Sequence, residues 1–307
     1  MTTRIRRILV AVGHVQRPSR ALLHKAAAIA QATRASIELF HADLPAATSA
    51  HPAPAPATPL ERLTRMPLFS GIKVTSCLEA DYPPHEAIVR RAMATRADLV
   101  LASLRVPALP ARMWLRNTDW ELIRQCPCPV LLVKSDRAYE KPVIITAVDP
   151  FHAHAKPTRL DRTLLETGTT LALALGGALH AFHSYMPLVN VLPTPMGPVV
   201  PIASSQELEA AHGQHVAAVF DHLAETAKIP PACRHLHMGG VADELNAAVR
   251  HLRASLVVMG AVSRSALKRA FIGHTAETVL NAITCDVLVV KPRSFRTSVP
   301  RRKGARG

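Results

Sequence analysis

Aromatic residues are scarce in this chain of 307 residues: they make up 4% of it, and only two are tryptophan. Its interior must therefore be aliphatic, and Ala, Leu and Val supply it. With 49% hydrophobic and 19% charged residues the composition is that of a globular protein rather than a disordered one. Acids are also few, 22 against 37 Lys plus Arg, for a net charge of +15. Such a surplus attracts phosphates, nucleic acid or anionic surfaces without selecting among them. Five cysteines (Cys77, Cys126, Cys128, Cys233, Cys285) are an odd number for a disulfide framework, and Met1 to Arg7 lead into the strand "ILVAV" rather than into a signal peptide. The expected location is the cytoplasm. Residues 167 to 206 carry no formal charge, but Gly176, Gly177, His180, His183, Asn190 and five prolines interrupt them. No clean apolar span of about 20 residues is left, so membrane insertion is not expected. A nucleophile elbow, a P-loop and paired catalytic carboxylates are all missing, and the chain is not expected to be an enzyme.

What the chain does have is a repeat. "DLVLAS" (98 to 103) and "SLVVMG" (255 to 260) are offset by 157, as are "PVLLVK" (129 to 134) and "DVLVVK" (286 to 291). Between these pairs "RNTDWELI" falls on "GHTAETVL" without a gap, and earlier "ILVAVG" (8 to 13) matches "IITAVD" (144 to 149) at an offset of 136. The second copy is longer in its middle by the difference, 21 residues.

Short apolar runs alternate with segments of helical period in each copy, the pattern of a parallel sheet covered on both faces. Strands are expected near 6 to 12, 35 to 41, 72 to 79, 98 to 103 and 129 to 133, and again near 142 to 147, 178 to 183, 232 to 237, 255 to 259 and 286 to 290. "SRALLHKAAAIAQATR" and "PHEAIVRRAMATR" read as helices. The fold class is thus α/β, with two doubly wound domains of five strands over residues 1–137 and 138–292. Residues 293–307 form a basic tail expected to be solvated, and no aromatic interleaving marks it as a nucleic-acid arm. Pro-rich excursions follow the second strand of each copy, at 42 to 59 and 185 to 204, and the second is apolar enough to pack on something.

The tandem copies, with "TDWELIRQCPCPVLLVK" in the first and "GAVSRSALKRAFIGHTAETVLNAITCDVLVVKP" in the second, resemble the universal stress protein superfamily, most nearly its tandem, E-type branch. The resemblance implies adenine nucleotide alpha hydrolase-like domains of strand order 3-2-1-4-5, a cytoplasmic role in bacterial stress endurance, and association through the last strand of each domain. In that order strands 1 and 4 are neighbours whose following loops diverge, and ligands settle in the crevice beyond them.

Nucleotide-binding members of the family carry an Asp after strand 1. They also carry a glycine, two residues, a glycine, nine residues, then a glycine followed by Ser or Thr. Asp149, Gly260 and Gly273 match, while Ser263 stands at the second glycine and His274, beside Thr275, at the hydroxyl position. Arg264, Lys268 and Arg269 add positive charge, and bare backbone at a glycine loop with a helix N-terminus suits phosphates. The expected ligand is a small molecule bound in the second domain, ATP with Mg²⁺ or another adenine nucleotide. Two other readings stay open: an interaction scaffold without nucleotide, and a carrier whose pocket, lined by 185 to 204, takes an apolar or lipid-like molecule. In the first copy Gly13, Ser103, Val106, Arg116 and Asn117 occupy the aligned positions, so its site is expected to be degenerate. The expected protein contacts are pairing of the two domains and a homodimer. His152 with His154, and His235 with His237, offer two imidazoles each, too few for a metal site. "CPCP" reads as a rigid entry to the fifth strand.

Overall fold

The computed structural model describes residues 4–43, 58–104, 117–151, 160–188, 202–260 and 274–301. The first half runs β1 (Arg7–Ala11), α1 (Arg20–Thr33), β2 (Ser36–Asp43), α2 (Pro59–Thr64), β3 (Val74–Ala80), α3 (Pro84–Thr95), β4 (Leu99–Ser103), α4 (Asn117–Gln125) and β5 (Val130–Val133). The second runs β6 (Val143–Ala147), α5 (Leu160–Ala174), β7 (Ala178–Tyr185), α6 (Ile202–Thr226), β8 (Arg234–Met238), α7 (Val241–His251), β9 (Leu256–Gly260), α8 (His274–Ala282) and β10 (Asp286–Val290). Local chemistry sets the boundaries. The Ser19 hydroxyl caps α1 by accepting from the Leu22 N–H, and Arg34 closes that helix in the left-handed region at φ 57°. Thr58 and Glu61 form a reciprocal capping box on α2, with Pro59 in its first turn. Acids Asp243 and Glu244 open α7 and Arg250 and His251 close it, as the helix dipole favours.

The ten strands among the described residues join one sheet of order β3-β2-β1-β4-β5-β10-β9-β6-β7-β8. Each half has the order 3-2-1-4-5 expected of it, parallel throughout, and the halves meet where β10 runs antiparallel to β5 with Leu288 opposite Leu131. Apolar packing is consequently organised by face rather than by half. One core combines Leu9, Val100 and Trp120 with Val257, Leu280 and Val287, a second combines Leu22, Ile29 and Leu101 with Leu164, Val258 and Leu288, and a smaller third, confined to the second half, gathers Val148, Leu165 and Phe220.

The seam also carries a buried polar cluster. Asp286 is fully buried; its Oδ1 accepts the N–H groups of Lys134 (2.9 Å) and Ser135 (3.0 Å), and its Oδ2 accepts Tyr139 Oη and Lys25 Nζ, both at 2.6 Å. The lysine just after the last strand of each half crosses to the other half: Lys134 Nζ donates to the carbonyls of Leu280 (2.8 Å) and Ile283, and Lys291 Nζ to that of Cys126 (2.5 Å). Ile283 and Cys126 occupy aligned positions in the two copies, so these contacts follow the repeat. Burial lowers both ammonium groups from the ordinary 10.5 to about 8.

Two expectations need correction. Residues 293–301 are not simply solvated, because Val299 is buried in the core formed with α4 and α8, and Lys291 Nζ sits 4.1 Å from the centre of the Phe295 ring. One apolar side chain is enough to hold a basic segment down when its charges point outward. The excursions are also shorter than expected, since β2 runs to Asp43, Pro59 opens α2, β7 runs to Tyr185 and α6 begins at Ile202. Residues 44–57 and 189–201, including most of the apolar stretch, lie outside the described residues.

Candidate functional site

The crevice begins at the ends of two neighbouring parallel strands. β6 and β9 pair with Thr146 opposite Val258, so continuing the register brings Val148 level with Gly260 and places Asp149 just beyond. From there the chains part: Asp149 leads toward α5, on one face of the sheet, and Gly260 leads toward α8, on the other. The Asp149 N–H donates to Oδ1 of Asp161 at 3.0 Å, in the first turn of α5. Asp161 is almost wholly buried, so this bond fixes the backbone from which the Asp149 carboxylate projects.

Gly260 has a packing reason. A Cβ there would lie 2.9 Å from Leu160 Cδ2 and 3.6 Å from Leu160 Cγ, so the residue that opens α5 occupies the space a side chain would take. Its φ is not in the left-handed region, and the glycine is required here for close approach rather than for conformation. Beyond it, Ser263, Arg264, Lys268, Arg269 and Gly273 lie outside the described residues. His274 and Thr275 form the first turn of α8, and their side chains also lie outside the description. The structure therefore brings Asp149, Gly260 and their strand ends together, and starts a helix immediately after Gly273.

A second set of residues borders Asp149 that the motif does not contain. The Phe151 ring lies 5.9 Å from His183 and 5.7 Å from His215, and His183 lies 6.1 Å from Phe220. His183 is held by its Nδ1, which donates to the Val148 carbonyl at 3.0 Å, fixing the tautomer and the ring plane. The first half repeats this contact, with His41 Nδ1 on the Val12 carbonyl at 2.6 Å. The signal was present in the sequence as "FH" at the end of the second strand in both copies, Phe40-His41 and Phe182-His183. His215 and Phe220 come from α6, which fills the extra length of the second copy.

The first half has the same frame without the same residues. β4 ends at Ser103 where β9 ends at Gly260, and α4 begins at Asn117 where α8 begins at His274. Gly13 follows β1 in the place of Asp149, so no carboxylate stands there, and Val106 and Arg116 lie outside the described residues.

The histidine pairs behave as ordinary polar packing. His235 Nε2 is 2.8 Å from His180 Nδ1 in a stacked pair whose protonation is disfavoured by burial, and His237 Nδ1 meets Glu244 Oε2 at 3.0 Å. Among the described residues no group of three or more His, Cys, Asp or Glu side chains is placed to hold a metal. His152 and His154 lie outside them. No described helix is long and apolar enough to cross a membrane.

Comparison with known proteins agrees with this geometry. Universal stress protein E of Salmonella typhi is 30% identical over 225 residues, covering 70% of this chain and 68% of that protein. Universal stress protein E of Escherichia coli K12 is likewise 30% identical over 225 residues, with 70% and 67% covered. Among solved structures, a functionally unknown protein from Pseudomonas aeruginosa PAO1 superposes with a TM-score of 0.75 at 23% identity, over 95% of this chain and 94% of that one. A universal stress protein from Archaeoglobus fulgidus gives 0.59 at 14% identity, over 94% and 98%. These two structures speak for the fold. The universal stress protein family model matches twice, at residues 4–134 and 144–291, once on each five-stranded half. With both copies matched and the strand order of each in place, this chain belongs to the universal stress protein family.

Proposed function

We propose that the second half of this protein binds an adenine nucleotide, ATP with Mg²⁺, in the crevice beyond β6 and β9. The protein serves in the cytoplasm as a ligand-responsive stress protein that acts through protein contacts rather than catalysis. The observation that carries the reading is the placement of Asp149. A carboxylate stands just beyond the end of β6, on a backbone pinned by buried Asp161, beside the end of β9 at Gly260. That arrangement supplies an acceptor for a sugar hydroxyl or a metal-bound water, while the start of α8 after Gly273 supplies partial positive charge for phosphates. In this proposal Asp149 would face the ribose or the ion, Gly273 would let the phosphates approach, and Arg264 would add charge. Phe151, exposed two residues beyond Asp149 and backed by buried His183, would offer a ring face for a base. The first half, with Gly13 in place of the Asp, serves as a structural partner.

In this reading the domains divide at 137 and 138, the β5–β10 pairing makes one chain equivalent to a pair of single-domain units, and a homodimer would add two such pairs. Nucleic acid and membrane are not its partners.

Thermal unfolding with increasing ATP and Mg²⁺ tests the proposal. A ligand bound only by the folded state adds about 2.7 kcal/mol at a hundredfold excess over its dissociation constant, and the melting temperature rises accordingly. Gly273→Val should abolish the rise by placing a branched side chain at the phosphates. No shift in the wild type would reject nucleotide binding in favour of the scaffold. An apolar molecule retained in native mass spectrometry, unaffected by Gly273→Val, would favour the carrier.

A further inference from the structure

The entry to β5 contains a pair of thiols that nucleotide binding does not use. Cys126 follows the last residue of α4, its N–H donating to the Leu122 carbonyl at 2.9 Å, and Cys128 lies two residues on, between Pro127 and Pro129. Their Sγ atoms are 3.5 Å apart. Both are free thiols, Cys126 fully buried and Cys128 half-buried. Lys291, from the other half of the chain, brings its ammonium to the Cys126 carbonyl at 2.5 Å. The hydrogen bond from the Cys128 thiol, reinforced by the Lys291 charge, holds the Cys126 thiol below its ordinary range, while Cys128 is pushed well above it. Two thiols in contact beside an ammonium can lose one proton and keep the second sulfur at hand to resolve the first oxidation.

The second half shows what the position looks like without this chemistry. Ile283 aligns with Cys126 and Cys285 with Cys128, leaving one sulfur, and burial beside Asp286 raises Cys285 to about 12. Cys77 is likewise raised, to about 11, by burial. Packing alone is satisfied by Ile-x-Cys at the aligned site, so it does not require two sulfurs in contact at the first.

We propose that Cys126 and Cys128 form a redox site that a peroxide oxidises to an intramolecular disulfide at the seam between the two halves. The Cys126 thiolate attacks one peroxide oxygen; an S–O bond forms, the O–O bond breaks, and the departing alkoxide or hydroxide takes up the proton Cys126 had released. The Cys128 sulfur then attacks Cys126 Sγ, the S–S bond forms as the S–O bond breaks, and the oxygen leaves as water carrying the Cys128 proton. Two thiols lose two electrons, and the peroxide is reduced to an alcohol, or water, plus water. A dithiol reductant reverses the step, which suits a site in a reducing compartment.

The test uses the native full chain. It is treated with hydrogen peroxide in small excess, remaining thiols are alkylated, and the tryptic peptide Gln125–Lys134, which holds both cysteines, is followed by mass spectrometry. The proposal predicts that this peptide loses two hydrogens and both alkylation sites before Cys77, Cys233 or Cys285 gains oxygen, and that dithiothreitol restores it. In Cys128→Ser, Cys126 should stop as a sulfenic acid that a cyclic dione traps. Peptide thiols that stay alkylatable while other cysteines oxidise would overturn the proposal. So would a Cys128→Ser protein that yields no trapped Cys126.

Discussion

Asp286 and Lys25 lie 261 positions apart in the chain, yet they form an ion pair with almost no exposure to water. Removing one member of such a pair leaves the other buried and unbalanced, which typically costs about 3–5 kcal/mol. Asp286→Asn should therefore lower the unfolding free energy by about that amount, as read from urea denaturation, whereas replacing Arg162, the exposed partner in the surface ion pair with Glu166, should change it by about 0.5 kcal/mol or less. None of this was legible in the sequence. Lys25 reads as the polar residue of an Ala-rich helix, and only the β5–β10 junction turns it inward to a carboxylate from the other copy. By contrast Asp149 and Gly260 could be placed from the repeat alone, because the strand ends they mark are apolar runs with a fixed offset. His183 was legible in principle, through its alignment with His41, but a histidine after a phenylalanine carries no chemical signature until its ring is seen on the Val148 carbonyl.

Most of the elements were readable, since buried parallel strands are short apolar runs and the helices between them have apolar residues every three or four positions. α6 is the exception: its apolar residues form no sharp stripe, and its start follows a Pro-rich stretch that reads as irregular. It matters to the site because it delivers His215 and Phe220. Glycines at element ends differ in what they tolerate. At Gly177, before β7, a Cβ would meet the Pro142 carbonyl oxygen at 2.1 Å, a backbone atom that cannot turn aside; at Gly260 it would meet the tip of a leucine side chain at 2.9 Å. Gly177→Ala should accordingly destabilise the fold by several-fold more than Gly260→Ala in denaturant midpoint. Comparable losses in the two variants would mean that Leu160 is as rigid as backbone.

At the scale of the molecule, the repeat becomes a single sheet whose two halves exchange lysines. Lys134 and Lys291 hold folded values of about 8 against an ordinary 10.5, so between those pH values the unfolded chain binds more protons than the folded one at these groups. Their contribution to stability therefore rises with pH across that window. Cys285, raised to about 12, acts in the opposite sense above its ordinary 9.0. Urea denaturation at pH 8 and pH 9 should show the wild type gaining stability relative to a Lys134→Met, Lys291→Met variant as pH rises; an unchanged difference would mean that neither lysine is desolvated at the seam.

The same duplication makes the two crevices unequal, with a carboxylate after β6 and a glycine after β1. Isothermal titration calorimetry of the intact protein with ATP and Mg²⁺ reads that inequality directly. The account predicts one nucleotide per chain, lost in Gly273→Val; two nucleotides per chain, or none, would contradict it.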